Sequence, residues 1–481
     1  MSFFPDRASG VPLHRQLAGH LRDAILAGEL AGGTRLHAAR ALAQQLGVSR
    51  NTVVHALEQL ASEGYLETRI GAGTYVASGL LPRAARVAAA PSPPRLAARA
   101  RRVVPMRDPD GDDGPALFRP GVPDLRLFPA PQWRRVANRW LERTATRGYG
   151  DPAGYRPLRE AIAVQLRQTR GVTLGADNVI VVEGTRAALA LIADVLLDPR
   201  DVVVIEDPGY VAMREVSTAA GACIVPVPLD DEGFDPARAP HGARLAYVTP
   251  SHQYPTGVVM GLRRRLALTA WARANGTYVI EDDYDAEFRY DGPPLPALQG
   301  LDEERVLHVG TFSKTLAPGL RVGWIVVPDA LVDAFAAVRA VASAGPAFPV
   351  QAALAAFVGE GHFALHVRRA AAAYRARRDA LAHALQHELG EHIALQGAAT
   401  GLHLVARLAR DDVAASNAAR AAGIVAPALS GYALDAAGPR GLVLGFGAGE
   451  PDAIVSGVAL LARALAPWPR RPEEIGPGRR G

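Results

Sequence analysis

Apolar residues recur at helical spacing between Leu13 and Leu26, at Leu13, Leu17, Leu21 and Ile25, which predicts an amphipathic helix. Ala39 to Leu46 reads as a second, shorter helix and Gly47-Val48 as the turn after it. Ser49 is a good N-cap for a third helix running from Arg50 through Ser62. Its stripe of Val53, Ala56, Leu57 and Leu60 would face a core, leaving Arg50, Asn51 and Thr52 at an exposed N-terminal end. Tyr65 to Arg69 and Gly71 to Val76 read as two short strands around a Gly-rich tip, a wing. Residues 10–78 thus form one compact domain. From 79 to 116 the chain is rich in Ala, Pro and Arg, then acidic at Asp108, Asp110, Asp112 and Asp113. No apolar periodicity survives there, so the stretch reads as a flexible linker.

From 117 to 468 apolar runs alternate with Ala/Leu-rich helical patterns. Val179-Ile180-Val181-Val182, Val202-Val203-Val204-Ile205, Leu245-Ala246-Tyr247-Val248, Tyr278-Val279-Ile280 and Val306-Leu307-His308-Val309 read as fully buried strands. Helices between such strands imply an α/β domain with a mostly parallel sheet covered on both faces. Residues 469–481 form a basic tail, and no internal repeat is visible.

The composition narrows the class. The chain has 481 residues, enough for two or three domains, with 49% apolar and 21% charged residues. One cysteine, Cys223, excludes an internal disulfide and fits a reducing compartment. No Cys/His grouping has zinc spacing, so no metal is expected. Met1 to Arg7 lacks a basic region followed by an apolar run, and no apolar stretch is long enough for a bilayer. The expected compartment is the cytoplasm, with no membrane partner. A net charge of +5 favours a polyanionic partner. Between 79 and 107, Arg83, Arg86, Arg95, Arg99, Arg101, Arg102 and Arg107 stand without a single acid. That stretch reads either as solvated linker or as a contact to DNA.

Of 53 Lys and Arg residues only one is lysine, Lys314. Arginine stays protonated and cannot act as a nucleophilic amine, whereas lysine can. A lone lysine in this background marks a place where an amine is needed, and the commonest such need is a Schiff base, for example to pyridoxal 5′-phosphate (PLP). Lys314 sits in Gly310-Thr311-Phe312-Ser313-Lys314-Thr315, seven residues before Arg321. Upstream, Gly184-Thr185 ends a strand and opens a helix, where free backbone N–H groups suit a phosphate.

Two family resemblances sharpen this. Pro12-Leu13, Gly28-Glu29-Leu30, Arg40, Leu46-Gly47-Val48-Ser49-Arg50-Asn51-Thr52-Val53, Glu63-Gly64-Tyr65-Leu66 and Gly71-Ala72-Gly73-Thr74-Tyr75-Val76 together resemble the winged helix-turn-helix of the GntR family. The resemblance implies that Arg40, Ser49, Arg50, Thr52 and Gly73, with Asn51 beside them at the helix start, contact double-stranded operator DNA. One departure is Leu36-His37-Ala38-Ala39-Arg40, where the family has hydroxyl residues before the Arg. Their loss removes a phosphate contact or a helix cap.

Residues from Phe118 to Trp468 resemble fold-type I, PLP-dependent class I aminotransferases. The resemblance rests on Phe118-Arg119-Pro120-Gly121, Tyr149-Gly150-Asp151-Pro152, Asp207-Pro208-Gly209-Tyr210, Glu281-Asp282-Asp283-Tyr284 and Ser313-Lys314 with Arg321. It implies Lys314 as the Schiff-base residue and Gly184, Thr185, Thr311, Ser313 and Arg321 around the phosphate. Tyr210 would stack on the ring, Asp282 (with Asp283 as the alternative) would pair with the ring nitrogen, and Tyr284 would bond the 3′ oxygen. Tyr149 would reach the partner subunit's site in a homodimer. Three positions depart from the pattern. Glu183 stands where the family has a hydroxyl, Tyr254 where it has Asn, and Val443 where it has the Arg that clamps a substrate carboxylate. Arg440 is nearby but three residues off register.

A winged helix joined by a linker to an aminotransferase-like domain resembles the MocR (GabR-like) subfamily of GntR regulators. The implied function is a PLP-dependent transcriptional regulator, not an enzyme, responding to an amino acid, an amine or PLP itself. Two other readings stand beside it: an aminotransferase that carries a DNA-binding domain, and a sensor of vitamin B6 supply.

Overall fold

The computed structural model describes residues 3–69, 72–78, 96–103, 116–143, 148–292, 295–342 and 345–466. It divides into two compact units, Met1–Arg95 and Leu96–Gly481. Most of the expected linker, and all of the tail from 469, lie outside the described residues.

The first unit holds α1 (Leu13–Leu26), α2 (Ala39–Leu46), α3 (Arg50–Ser62), β1 (Leu66–Arg69) and β2 (Gly73–Val76). Leu17, Leu21, Val53, Ala56 and Leu60 are fully or almost fully buried and share one core with Leu42, Leu46, Leu66 and Val76. Each large aliphatic side chain buried there contributes about 1.5–3 kcal/mol. The third helix begins and ends as the sequence predicts. Ser49 Oγ accepts from Thr52 N at 3.1 Å and lies 2.8 Å from Thr52 Oγ1, closing the cap. Gly47, at φ +64°, ends α2 in the left-handed conformation that glycine adopts freely. α2 itself starts at Ala38 with no side-chain cap, so the missing hydroxyls do cost this helix a cap. β1 and β2 pair antiparallel, Leu66 opposite Val76 and Arg69 opposite Gly73, and form the wing.

The second unit opens with an element the sequence reading did not foresee. Within the expected linker, Ala98–Arg102 forms a short helix, α4, and Arg99 pairs with Asp194 at 2.9 Å. Then come α5 (Ala130–Leu141), α6 (Arg156–Arg170), β3 (Val179–Val182), α7 (Thr185–Leu196), β4 (Val202–Asp207), α8 (Val211–Ala220), β5 (Cys223–Pro228) and β6 (Leu245–Val248). They are followed by α9 (Leu262–Asn275), β7 (Tyr278–Asp283), β8 (Val306–Thr311), β9 (Gly323–Val326), α10 (Val332–Ala342), α11 (Phe348–Gly359) and α12 (His362–Leu389). The chain closes with β10 (Ala394–Gln396), β11 (His403–Arg407), α13 (Asp412–Ala421), β12 (Gly441–Gly445) and α14 (Pro451–Leu465).

Seven strands form the main sheet in the order β3-β9-β8-β7-β6-β4-β5. All adjacent pairs are parallel except those of β9, which runs antiparallel to both β3 and β8. β3, β6, β8 and β9 are buried along their whole length, as a sheet covered on both faces requires. β10, β11 and β12 make a smaller antiparallel sheet against α12 and α14, a subdomain the apolar runs alone did not reveal.

Candidate functional site: a lysine-bearing cavity at the strand ends

β7 and β8 each run about two to three residues further than their apolar cores predicted, and the added residues carry the site. Consecutive strand residues point to opposite faces. Asp282 therefore enters a cavity of about 300 Å³, while Asp283 turns away. Asp283 meets Arg170 Nε at 2.7 Å and His308 Nε2 at 3.2 Å. Burial pushes the Asp283 carboxyl up, but Arg170 and His308 outweigh it and hold it well below the usual carboxylate range. Of the two acids, only Asp282 lines the cavity.

The cavity is lined by Gly184, Thr185, Tyr210, Asp282, Tyr284, Thr311, Ser313, Lys314 and Arg321, all expected from the sequence. Arg119, Pro120, Gly121, Val122, Arg186, Tyr247, Thr249, Tyr254 and Pro318 complete it. Lys314 Nζ donates to the Gly121 carbonyl at 2.5 Å. Thr311 and Ser313 are tied together, Ser313 N donating to Thr311 Oγ1 at 3.1 Å. Gly184 takes φ +100° as the N-cap of α7, so the first N–H groups of that helix open towards the cavity. Arg321 holds a left-handed backbone at φ +51°, uncommon for a residue with a side chain.

One oxygen of Asp282 accepts from the Tyr247 hydroxyl at 2.7 Å, and the other, Oδ1, is buried with no hydrogen-bond partner. Burial, with Asp283 nearby, pushes its carboxyl up to about 7 against the pull of Tyr247. Tyr210 caps α8 with its ring stacked towards Tyr247 and edge-on to Tyr254. Tyr254 entered the sequence reading only as a departure from the family's Asn, and Tyr247 only as a strand residue. Tyr247 was hidden because it lies inside a strand that looks purely apolar.

Two expected residues, Tyr149 and Arg440, stand outside this cavity, as do the departures Val443 and Glu183. Tyr149 is fully exposed and lines no part of the cavity. Arg440 is exposed, one residue ahead of β12, and does not line the cavity. Val443 is 0% exposed, paired with Val405 and packed with Tyr254, Tyr284 and Tyr432. Glu183 does not line the cavity; its charge supports the buried Arg339 guanidinium, which burial pulls down. In the first unit Arg40, Ser49, Arg50 and Asn51 are exposed, Thr52 is half-buried in the cap, and Gly73 starts β2 at φ +111°.

Fold and cavity define a class: an aminotransferase-fold protein that also carries a winged helix-turn-helix. The family model for aminotransferases of class I and II matches residues 121–438, and the model for bacterial regulatory proteins of the gntR family matches residues 13–76. The probable rhizopine catabolism regulatory protein MocR of Rhizobium meliloti is 39% identical over 96% of this chain and 95% of its own length. The HTH-type pyridoxine biosynthesis transcriptional regulator PdxR of Corynebacterium glutamicum is 33% identical over 94% of this chain and 95% of its own. Among solved structures, the α-aminoadipate aminotransferase LysN of Thermus thermophilus, complexed with N-(5′-phosphopyridoxyl)-L-leucine, matches with a TM-score of 0.70 and 25% identity. That match covers 77% of this chain and 97% of LysN. The chain belongs to the MocR-type transcriptional regulators of the GntR family. Among the described residues no helix is long and apolar enough to cross a membrane.

Proposed function

We propose that this chain is a PLP-binding, homodimeric regulator in which an effector at the Lys314 cavity controls operator binding by the winged helix. The carrying observation is the chain's only side-chain amine, Lys314, in one cavity with Thr185, Ser313, Arg321 and the unpartnered Asp282 Oδ1. These residues fit the cofactor. Its phosphate calls for hydroxyls, helix N–H groups and a guanidinium, and its ring nitrogen calls for a carboxylate. When bound, PLP supplies an aldehyde that captures primary amines and a ring that withdraws electrons.

The protein's own residues then divide the work. Lys314 holds the cofactor and competes with an incoming amine. Asp282, costly to ionise while alone, gains a partner for its orphaned oxygen. Tyr210 covers the ring face, and Thr185, Thr311, Ser313 and Arg321 hold the phosphate. An effector that binds one arrangement of the large unit better than another shifts the population between them. In the small unit Arg40, Ser49, Arg50, Asn51, Thr52 and Gly73 contact the operator, two copies reading two half-sites. Tyr149, being fully exposed, is free to reach a partner subunit's cavity.

An active aminotransferase is the second reading, favoured by the complete lysine–aspartate–arginine set. Visible absorbance of the PLP-loaded protein, followed as amines and amino acids are added, separates the two. A spectral change that stops without turnover supports a sensor. Conversion that a keto acid reverses supports an aminotransferase. No visible band in the loaded protein would overturn both.

A further inference from the structure

A buried polar cluster that the reading above leaves unused lies directly behind Tyr284. The Tyr284 hydroxyl donates to the His252 carbonyl at 2.9 Å, and its oxygen lies 3.1 Å from His252 Nδ1. That nitrogen is 3.0 Å and 3.1 Å from the two oxygens of Asp285. A carboxylate only accepts, so Nδ1 carries the proton and shares it between Asp285 and the phenol oxygen. Asp285 also accepts from Leu402 N at 3.2 Å. His252 and Asp285 are almost fully buried. Gly401, at φ +75°, leaves them room: a Cβ there would lie 2.0 Å from His252 Nδ1. His403 stacks on His252 with ring centroids 4.4 Å apart, and its Nε2 donates to the Pro255 carbonyl at 3.1 Å. Burial, with His252 and Lys314 nearby, holds His403 well below its ordinary range, so it stays neutral and adds no competing charge.

We propose that His252 and Asp285 are positioning residues for Tyr284. The imidazole N–H, oriented by the Asp285 carboxylate, fixes the phenol oxygen at the cavity wall and polarises it. The hydroxyl proton can then swing from the His252 carbonyl to an oxygen of a bound ligand while the N–H keeps hold of the phenol. A phenol that accepts the imidazole N–H becomes a stronger donor through its own O–H, and the two bonds of such a chain reinforce each other in a site with little water. This rests on the PLP reading above, because the oxygen it serves belongs to that cofactor.

The test is a pH titration of the visible band of the full-length, PLP-loaded protein. His252→Phe keeps a planar ring and removes the N–H. Asp285→Asn keeps the shape and removes the charge. Both are expected to keep the band, with the pH midpoint raised by roughly one unit in His252→Phe and by less in Asp285→Asn. A ligand oxygen that receives a weaker proton keeps more negative charge and holds neighbouring protons more tightly. His252→Gln, which can still present an N–H, should recover part of the shift. An unchanged midpoint in the folded, loaded variants overturns the proposal. Loss of the band in both at unaltered melting temperature also overturns it, since the cluster would then serve binding. If His252→Phe does not fold, Asp285→Asn decides alone. A wild-type protein with no band takes down the PLP reading and this inference with it, which distinguishes that failure from an unmoved midpoint.

Discussion

The exposed end of α3 and the Lys314 cavity are built on opposite plans. At α3, Ser49 to Thr52 are four consecutive residues, organised by one cap between Ser49 and Thr52. Their neighbours in sequence are their neighbours in space, and their polar groups face solvent. The cavity instead gathers Gly121, Thr185, Tyr210, Asp282, and Lys314 with Arg321, from five separate segments. It buries Asp282 against the Tyr247 hydroxyl, and behind it Asp283 is held by Arg170 and His308. A surface site of the first kind can change with little cost to the fold. A buried one of the second kind cannot, because each charge depends on partners from elsewhere in the chain.

Five substitutions would sharpen or break that contrast, in falling order of effect. Lys314→Ala should abolish the visible absorbance of the PLP-loaded protein completely while operator binding persists; a full band in this variant refutes the attachment site. Arg170→Leu leaves Asp283 as a buried charge without its main partner and should cost about 3–5 kcal/mol in denaturant unfolding. A loss below about 1 kcal/mol would mean that the buried site is as tolerant as the exposed one.

Asp282→Asn acts in the other direction when no cofactor is bound. The native carboxyl is raised to about 7 against an unfolded value near 3.8, so the folded state holds the extra proton between those limits. Stability from this group is present below about 4 and is lost as pH rises towards 7. The cofactor-free variant should therefore gain on wild type by of order 4 kcal/mol at pH 8 relative to pH 4, read from paired melting curves. An equal difference at both pH values would show that Asp282 is not strained in the empty cavity.

Arg50→Ala should weaken operator binding by about 1–2 kcal/mol, roughly 5–30-fold, with the cofactor spectrum unmoved. Undiminished operator affinity removes α3 from the interface. Ser49→Ala should cost the small unit about 1 kcal/mol through the lost cap, measurable as a lower melting temperature. Since Ser49 is also assigned to DNA, operator affinity should fall with it; stability lost without affinity would reduce the residue to a cap.

Much of this was legible because its causes are local. The limits of α3 follow from Ser49 and a four-residue apolar stripe, and the structure returns the same limits. Lys314 stood out by composition alone. Other features depend on neighbours far along the chain. Periodicity ended β7 at Ile280, since Glu281, Asp282 and Asp283 look like a solvated strand end. They stay in the strand because Leu298 N and Gln299 N satisfy Glu281, Tyr247 holds one oxygen of Asp282, and Arg170 pairs with Asp283. Arg440 stands three residues from Val443 in sequence, but the structure leaves it exposed ahead of β12 while Val443 is buried within the strand, a difference set by packing rather than spacing.

The sequence by itself determined the two-part architecture, the limits of α3 and the singling out of Lys314, because capping, periodicity and residue type are properties of a residue and its near neighbours. Only the tertiary structure decided which of two adjacent acids meets the cavity, that Tyr247 and Tyr254 wall it, and that His252 and Asp285 stand behind Tyr284. Those outcomes depend on which strand lies beside which and on which face each side chain takes. A buried polar group is fixed by the partner that satisfies it, and that partner can lie more than a hundred residues away, as Arg170 does from Asp283.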